Sequence, residues 1–371
     1  MRISFLVPRC TPDNSHGRYV IELAKRLGSA HEVRVSSGAI WPPLRATVHC
    51  RLLPVPNRPA IARLATLWAA SMFTGRRKST EILHIQGADA PVGNVVTAHC
   101  CNAAMRVAGD ESATLTRRFN YAIGTKAERY CFSKSSTDVI IAVSSKVKRE
   151  VETHYDIDPN KVVVIPHGVD TEDFHPRQSG RWRAPIRERF GLREDEFVVL
   201  FVGGDYRLKG LVPLLEAVRL LPSSMRVLAV GVKPDAALTS LMSRNGLSGL
   251  VTFAGVESDL ASLYGAADAF ALPTRYDTFS LATLEAMASG LPVIISRSAG
   301  VTELLSSGED CLVLEDPSDV DQLARLLGRL VKDEKLRAGL GAHARRTAER
   351  HTWDEVVRRT LEVYRERVTK S

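Results

Sequence analysis

The chain has 371 residues, of which 44% are hydrophobic and 25% are charged, values typical of a folded globular protein that exclude a disordered or fibrous chain. The length predicts two or three domains rather than one hydrophobic core. The net charge of +8 lies in residues 1–180, which contain 24 lysines and arginines and 16 acidic residues. A basic surface on one half of the chain can bind an anionic membrane, an acidic substrate or nucleic acid, and an ordinary solvated surface is the alternative interpretation.

Strands and helices alternate along the first half of the chain. Residues 2–7 have the apolar run of a buried strand, residues 19–27 have the spacing of an amphipathic helix, and residues 31–35 read as a second strand. This order predicts a parallel α/β unit, and hence a doubly wound sheet. Further strands are predicted at residues 82–85, 94–98, 139–143 and 162–165.

A break then separates two series of α/β units. Residues 170–193 lack strand character and are predicted to be an interdomain linker. Strands of the second series are predicted at residues 197–202, 225–230, 251–253, 269–272, 293–295 and 311–314. We therefore expect two Rossmann-like domains facing across a cleft. The predicted ranges are 1–175 for the N-terminal domain, 176–352 for the C-terminal domain and 353–371 for a C-terminal helix that crosses back to the first domain.

Neither export nor membrane insertion is predicted. The opening apolar run is too short for a signal peptide, and no stretch of about 18 uncharged apolar residues follows, which favours a cytoplasmic protein. The six cysteines lack metal-ligand spacing, and adjacent Cys100 and Cys101 are poor disulfide partners, so we expect reduced and mostly buried thiols. Asp156 and Asp158 imitate an Asp-x-Asp metal motif but lie in a turn before a strand, so we assign them no metal.

Residues 275–293 place two carboxylates at the entry to a predicted helix that Thr278 or Ser280 can cap. Asp277 follows the carboxyl end of a strand, where open α/β sheets bind ligands, and Glu285 lies about two turns along the helix. A capping residue and a solvated helix residue are the alternative interpretation of this pair.

The segment resembles the Glu-x7-Glu signature of retaining glycosyltransferases with the GT-B fold, which include sucrose synthases, phosphatidylinositol mannosyltransferases and the lipopolysaccharide-core glucosyltransferase. Asp277 stands at the first acidic position, Glu285 at the second, and residues 279–281 where Phe-Gly-Leu is usual. The resemblance covers nearly the whole chain. It implies that Glu285 binds the donor ribose hydroxyls and that Asp277 faces the hexose. The donor-binding residues that it implies in this segment are Thr278, Phe279, Ser280, Leu281 and Glu285.

A glycine-rich loop at residues 201–210 directly follows the first strand of the second half. Gly203 and Gly204 can bring backbone N–H groups close to a ligand, while Arg207 and Lys209 can neutralise a leaving diphosphate. The family pattern here is Gly-Arg followed by Lys-Gly, which implies that Lys209 takes the lysine's role and that Arg207 substitutes for the arginine. A solvated turn with exposed cations is the alternative.

Residues 8–18 correspond to the family's loop whose Gly-Gly pair approaches the donor phosphate and the acceptor. That pair falls at residues 14–15 here, and the resemblance implies donor contacts from Ser15 and Gly17. His16 is interpreted as a surface-loop histidine.

His99 ends a predicted strand and resembles the family's active-site histidine, which implies that it orients the transferring sugar. A satisfied histidine at a strand end is the alternative. With Arg207 and Lys209 available to offset the diphosphate charge, no metal and no cofactor are expected.

Two basic segments could contact a membrane. Residues 61–78 and 115–129 interleave basic residues with apolar and aromatic ones, a pattern that binds anionic interfaces. Helices that face the core and keep solvated basic edges are an equal alternative.

Taken with the resemblance, these features predict a retaining, metal-independent hexosyltransferase. It would move a sugar from a nucleoside diphosphate donor, with UDP as the default, to a hydroxyl of a glycan or glycolipid acceptor in the cell envelope, such as a lipopolysaccharide intermediate. We expect no nucleic acid partner, and an enzyme that is cytoplasmic or peripheral on the inner face of the plasma membrane. The alternatives are an inactive nucleotide-sugar-binding or membrane-associated protein and a GT-B nucleotide-sugar epimerase.

Overall fold

The computed structural model of the chain describes residues 1–56, 60–74, 81–88, 90–91, 93–108, 115–133, 137–221 and 224–368. The chain forms two compact units, one comprising Met1–His167 with Trp353–Ser371 and the other comprising Gly168–Thr352. Each unit contains one sheet, and every strand pair in the described ranges is parallel. The predicted pair of doubly wound α/β domains is therefore confirmed.

The first unit is a seven-stranded sheet in the order β3-β2-β1-β4-β5-β6-β7. Its order reverses between β1 and β4, which creates a switch point where the carboxyl ends of strands open a crevice. The strands are β1 Arg2–Val7, β2 Glu32–Ser37, β3 His49–Leu52, β4 Glu81–Gln86, β5 Val95–Ala98, β6 Val139–Ala142 and β7 Val162–Val164. The helices are α1 Ser15–Leu27, α2 Ala60–Thr74, α3 Asn102–Ala108, α4 Leu115–Ser133 and α5 Ser145–His154, with short 3-10 helices at Pro42–Ala46 and Pro159–Lys161.

Strand β3 is the one strand of this sheet that the sequence did not predict. Its residues His49–Leu52 are largely exposed, because β3 lies at the edge of the sheet next to β2. An edge strand of this kind lacks the apolar run that marks a buried strand. The central strands β5 and β6 are buried throughout, which is why their sequences are continuously apolar.

The second unit is a six-stranded sheet in the order β10-β9-β8-β11-β12-β13. Its switch point lies between the neighbouring central strands β8 and β11. The strands are β8 Phe197–Val202, β9 Met225–Val230, β10 Val251–Gly255, β11 Ala269–Leu272, β12 Val293–Ser296 and β13 Leu312–Leu314. The helices are α6 Arg177–Arg189, α7 Tyr206–Lys209, α8 Leu211–Arg219, α9 Ala236–Arg244, α10 Leu260–Ala266, α11 Leu281–Ala288, α12 Val320–Lys332 and α13 Glu334–Glu349, with 3-10 helices at Ser248–Leu250 and Gly300–Leu304.

The last helix returns to the first unit. Helix α14, Trp353–Val363, packs against α1 and continues into a π-helical turn at Tyr364–Val368. The Arg26 guanidinium lies 2.7 Å from the Asp354 carboxylate, and the buried Tyr364 hydroxyl lies 2.6 Å from His84 Nδ1. These polar contacts tie the end of the chain to the sheet of the first unit.

The prediction that residues 170–193 form a linker was wrong. They contain the 13-residue helix α6, which packs against α10 within the second unit. The helix was missed because five of its residues are arginines and it carries an internal proline, Pro185, so that its apolar spacing is weak. One of those arginines, Arg187, is only 1% exposed.

Arg187 anchors α6 to the segments that lead into the central strands β8 and β11. Its guanidinium reaches Asp268 at 2.7 Å and donates to the carbonyl oxygens of Ala266 and Glu196 at 3.1 and 3.0 Å. A buried guanidinium with this many partners is costly to remove, because the buried hydrogen bonds that it donates are lost together with its charge.

No helix within the described ranges has the length and apolar character needed to cross a bilayer. None of the six cysteines, all of which lie in the described ranges, forms a disulfide, and four of them are buried.

Arg187→Met should lower the free energy of unfolding by about 3 kcal/mol, because it removes the buried cation that pairs with Asp268 and the hydrogen bonds to several carbonyl oxygens. Arg189→Met is the matched control on the same helix: Arg189 is 55% exposed and pairs with Glu257, and such a surface pair contributes below about 1 kcal/mol. Urea unfolding of both variants measures the difference. Equal losses would show that Arg187 does not anchor the helix.

Candidate functional site

The candidate donor site lies at the switch point of the second unit, where β8 and β11 are neighbours. The loop after β8 carries Lys209, and the loop after β11 carries Asp277. The strands are parallel, so both loops emerge at the same edge of the sheet. Residues 68 positions apart in the chain are thus brought together.

Gly210 allows the two loops to touch. Its φ is +79°, and a Cβ atom there would lie 2.0 Å from the carbonyl oxygen of Pro273 at the end of β11. Beside this contact, the Leu208 carbonyl accepts hydrogen bonds from the Arg275 N–H at 2.8 Å and from Thr274 Oγ1 at 3.0 Å. Only glycine satisfies both the left-handed backbone and the close approach.

Lys209 and Asp277 form an ion pair at this junction. Lys209 Nζ lies 2.5 Å from Asp277 Oδ2, with the two side chains 22% and 12% exposed. A Cβ atom on Gly203 would lie 2.9 Å from Lys209 Cγ, so this glycine leaves room for the lysine stem. The Gly203 N–H donates to the Val230 carbonyl at 3.0 Å. Gly204 is less constrained, because a Cβ atom there would lie 3.8 Å from the Gly231 carbonyl oxygen, an ordinary contact distance. The loop therefore presents a half-buried cation beside a carboxylate.

Arg207 lies apart from this pair. Its side chain is 48% exposed, its Nε donates to the Tyr206 hydroxyl at 3.0 Å, and its guanidinium is 3.9 Å from the Asp235 carboxylate. The carboxylate of Asp205 caps the short helix α7, accepting from the Arg207 and Leu208 N–H groups. In this geometry Lys209 alone of the two predicted cations faces Asp277, and the catalytic role of Arg207 stays a prediction.

The segment that follows Asp277 is held by backbone bonds. The Gly300 N–H donates to the Asp277 carbonyl at 3.0 Å, and the Val301 N–H donates to the Phe279 carbonyl at 2.7 Å. Phe279 is 1% exposed, while Thr278 and Leu281 are half-buried around the helix entry. The predicted donor-binding segment is thus joined by backbone hydrogen bonds to residues 300–301 and anchored by the buried ring of Phe279.

The sequence offered Thr278 or Ser280 as the cap of this helix. Ser280 occupies the N-cap position of α11, but its side chain makes no capping hydrogen bond. Its φ of +86° makes it the only residue other than glycine with positive φ in the described ranges. Its hydroxyl lies 2.8 Å from Thr283 Oγ1 instead. The related signature has glycine at this position, and the left-handed backbone supplies the reason. A strained serine costs on the order of 1–3 kcal/mol, which the surrounding bonds must offset.

Glu285 is buried in α11, with 2% of its surface exposed, so the alternative of a solvated helix residue is wrong. Its Oε2 atom accepts a hydrogen bond of 2.8 Å from the Tyr264 hydroxyl. Tyr264 was missed in the sequence because it lies 21 positions before Glu285, on the neighbouring helix α10. No local pattern signals a contact between two helices.

In the first unit, the loop after β1 is organised by Asn14. Its Oδ1 atom accepts from the Gly17 N–H at 2.8 Å and so caps α1, whose first residue is the exposed Ser15. A Cβ atom on Gly17 would lie 2.4 Å from the Thr11 carbonyl oxygen. Gly17 is therefore required for the loop's own packing, and the donor contacts of Ser15 and Gly17 stay predictions.

His99 lies in a stack of three imidazole rings. It is 5% exposed, with ring centroids 4.1 Å from His16 and 5.4 Å from His167 and interplanar angles of 21° and 18°. His99 Nε2 lies 2.8 Å from Gln86 Oε1, and its buried Nδ1 has no hydrogen-bond partner among the described residues. His16 is thus part of this stack rather than a simple surface histidine.

Within this stack, the rings of His16 and His99 are held in the neutral form. Burial, followed by the nearby charge of Arg63, lowers the pKa of His16 to about 4. Burial is also the main cause that holds the pKa of His99 well below its usual range, with contributions from His16, His167 and His84. An uncharged imidazole with an open ring nitrogen can exchange a hydrogen bond with a hydroxyl group.

A pocket of about 230 Å³ opens beside this stack. Its polar lining includes His16, Arg63, His99, Asn102, Tyr121 and Glu128. Glu128 is 2% exposed and accepts from the Asn102 N–H at 2.8 Å, from Asn102 Nδ2 at 2.5 Å and from the Tyr155 hydroxyl. Burial raises the pKa of Glu128 to about 7. The pocket thus offers one cation and several neutral hydrogen-bonding groups.

In the part of the chain that the structure describes, no three His, Cys, Asp or Glu side chains are grouped so that they could hold a metal ion. Asp158 caps the 3-10 helix Pro159–Lys161 by accepting from the Asn160 N–H at 2.9 Å. It has the turn position that the sequence predicted for it.

Two family models match the chain. "Glycosyltransferase Family 4" matches residues 16–173, and "Glycosyl transferases group 1" matches residues 183–347. The MMP alpha-(1->4)-mannosyltransferase of Mycolicibacterium hassiacum is 32% identical over 237 residues, covering 62% of this chain and 54% of that protein. The D-inositol 3-phosphate glycosyltransferase of Salinispora arenicola is 35% identical over 253 residues, covering 63% and 56%. The chain spans about half the length of these curated relatives.

Solved structures share the fold across the whole chain. WaaG, a glycosyltransferase involved in lipopolysaccharide biosynthesis, superposes with a TM-score of 0.83 at 22% identity, covering 97% of this chain and 99% of its own. Anabaena Alr3699/HepE in complex with UDP and glucose superposes with a TM-score of 0.77 at 19% identity, covering 99% and 100%. At these identities the likeness establishes the GT-B fold.

The histidine stack predicts a pH-dependent stability. The pKa of His99 is lower in the folded state than in the unfolded state. The stability that the neutral imidazole contributes to the folded protein is therefore present above about pH 6.5 and is lost as the pH falls. The His99→Gln variant has no imidazole to titrate at this position and so avoids this loss. The difference in the free energy of unfolding, variant minus wild type, should therefore rise by up to about 2 kcal/mol as the pH is lowered from 7.5 to 5. Urea unfolding at both pH values measures the change.

The control for this prediction is His343→Gln, which replaces an exposed histidine of the second unit. Its stability relative to the wild type should stay constant over the same pH range. A His99 variant that parallels this control would show that the stack does not destabilise the protein on acidification.

Proposed function

Because models of glycosyltransferase domains match residues 16–173 and 183–347, the chain belongs to the glycosyltransferases of the GT-B fold, and we propose that it is a retaining hexosyltransferase. The observation that carries the proposal is the pairing of Lys209 with Asp277 at the switch point, together with the buried carboxylate of Glu285 on α11, the helix that follows Asp277 in the chain. The lysine can bind the diphosphate of a nucleoside diphosphate sugar, and the carboxylates can accept hydrogen bonds from its ribose and sugar hydroxyl groups.

In this proposal the second unit binds the donor. Glu285 accepts hydrogen bonds from the ribose hydroxyls, and Lys209 stabilises the negative charge that builds on the departing diphosphate. Asp277 faces the hexose and, in the free protein, holds the lysine in place at 2.5 Å. The acceptor hydroxyl attacks the face from which the diphosphate leaves and gives its proton to the departing diphosphate oxygen, so a new glycosidic bond replaces the sugar–phosphate bond and the anomeric configuration is kept. UDP is the proposed nucleotide, with support from the related fold that binds UDP and glucose.

We propose that the pocket of the first unit receives the acceptor. Its volume of about 230 Å³ exceeds the roughly 150 Å³ of a cavity that holds a benzene ring, so one hexose or cyclitol ring fits. In this proposal His99 orients a hydroxyl of the acceptor, and Arg63 binds a phosphate or carboxylate that the acceptor carries. A relative that is named for D-inositol 3-phosphate agrees with an acceptor of this class. Glycan and glycolipid intermediates of the cell envelope are the proposed acceptors.

Helix α4 supports a peripheral contact with an anionic membrane. Leu115 and Phe119 are 83% and 62% exposed, and Arg118, Lys126 and Arg129 on the same helix are also exposed. Exposed apolar side chains interleaved with cations bind anionic interfaces by insertion and charge together. The basic residues 76–78, which the sequence analysis also used, lie outside the described residues.

The donor assignment predicts that Glu285 and Asp277 fail differently. Glu285→Gln removes the charged acceptor of the ribose hydroxyls and should weaken UDP binding roughly ten- to a hundredfold. Asp277→Asn removes one negative charge beside Lys209, so UDP binding should be kept or tightened while turnover of the sugar nucleotide falls. Calorimetric titration with UDP and initial rates with UDP-sugars separate the two outcomes.

Glu334→Gln is the matched control, because Glu334 is an exposed glutamate on α13 of the same unit. It should bind UDP and turn over like the wild type. The site assignment would be wrong if Glu285→Gln and Asp277→Asn both behaved like this control.

The membrane proposal predicts that the protein binds anionic vesicles and that binding weakens as salt rises. Phe119→Ser should reduce binding severalfold, because it removes an inserting ring. Leu220→Ser is the control, since Leu220 is similarly exposed at 56% but belongs to the second unit. Vesicle sedimentation at two salt concentrations measures this. Equal binding to neutral and anionic vesicles would contradict the proposal.

A further inference from the structure

Tyr264 joins two neighbouring helices at the candidate donor site. It lies on α10, is 1% exposed, and its hydroxyl lies 2.8 Å from Glu285 Oε2 and 3.0 Å from the Ala282 carbonyl oxygen on α11. A hydroxyl has one proton to donate, and the carboxylate is the stronger acceptor of the two. The Glu285 side chain therefore receives a hydrogen bond from a residue that the donor-binding motif does not contain.

The tyrosine ring cannot swing away from this position. It meets Phe174 edge-on, with centroids 5.5 Å apart and planes at 83°, and it lies against Phe270 of β11 at 6.2 Å. Both phenylalanines are themselves buried. Aromatic packing of this kind fixes the direction of the hydroxyl, and the hydroxyl in turn fixes the carboxylate that accepts from it.

A buried carboxylate needs such a donor. Glu285 is 2% exposed, and moving a charged group out of water is costly unless hydrogen bonds replace the lost hydration. A glutamate also has three side-chain torsions, so that without a fixed partner its oxygens would not point in one direction. A partner that bonds one oxygen orients the whole carboxylate plane.

We propose that Tyr264 is a positioning residue for donor binding, which aims the Glu285 carboxylate at the ribose hydroxyls of the nucleotide. The inference rests on the proposed function, in which Glu285 accepts from those hydroxyls. Tyr264 touches no substrate in this arrangement; it acts only through Glu285. Its effect on binding must therefore depend on the presence of the ribose hydroxyls, which a purely structural role would not require.

The test compares nucleotides with and without these hydroxyls. UDP, GDP and ADP are each titrated calorimetrically beside their 2′,3′-dideoxy forms, and the pair whose parent nucleotide the wild type binds most tightly is used. Tyr264→Phe should weaken binding of the parent nucleotide roughly three- to tenfold, the loss of one positioned hydrogen bond. It should bind the dideoxy nucleotide like the wild type.

Tyr155→Phe is the matched control. It also removes a hydroxyl that donates to a buried carboxylate, that of Glu128 in the first unit. Its thermal stability should fall in the same way as that of Tyr264→Phe, but its affinity for both nucleotides should equal that of the wild type. The control therefore separates the effect of losing any buried hydrogen bond from the effect of losing the orientation of the Glu285 carboxylate.

Three results would overturn the inference alone: unchanged binding of the parent nucleotide by Tyr264→Phe, an equal loss for the parent and dideoxy forms, or the same ribose-dependent loss in Tyr155→Phe. A wild-type protein that binds none of the three nucleoside diphosphates would overturn the proposed function itself, and the inference with it. The two failures are thus distinguishable in one set of titrations.

Discussion

The close approach of Gly210 to the Pro273 carbonyl is the constraint on which the candidate donor site depends. A Cβ atom would lie 2.0 Å from that oxygen, so the loops after β8 and β11 meet only because the residue is glycine. The meeting places Lys209 Nζ 2.5 Å from Asp277 Oδ2, although neither residue lies within a strand. Backbone geometry at one position therefore determines where a charged pair can form.

Each unit holds a buried glutamate side chain in one direction through hydrogen bonds. Glu285 accepts from the hydroxyl of Tyr264, whose ring is packed by Phe174 and Phe270. In the first unit, Glu128 accepts three hydrogen bonds. In a site of low dielectric constant, such fixed partners make electrostatic contacts strong and leave little freedom to lose when a ligand binds.

Comparison of the two units shows how one topology supports different chemistry. Each sheet reverses its strand order at a central pair, and in each unit the residues of interest follow strands near that reversal. The second unit presents ions there, Lys209 with Asp277, whereas the first presents the neutral rings of His16 and His99 beside a pocket. In the proposed function, the ion pair of the second unit serves the diphosphate of the donor, whereas the uncharged imidazoles beside Arg63 in the first unit serve the hydroxyl and anionic groups of the acceptor.

The sequence by itself determined the two α/β domains, nearly all their strands, and the carboxylates Asp277 and Glu285 as the centre of interest, because buried parallel strands are continuously apolar and the spaced acidic motif is local. It failed for helix α6, whose stability comes from the buried partners of Arg187 rather than from apolar spacing. Only the tertiary structure decided that Arg207 turns from Lys209 to Asp235, that His16 stacks on His99, and that Tyr264 contacts Glu285. These contacts join residues on different elements, and their formation depends on packing directions that no stretch of sequence encodes locally.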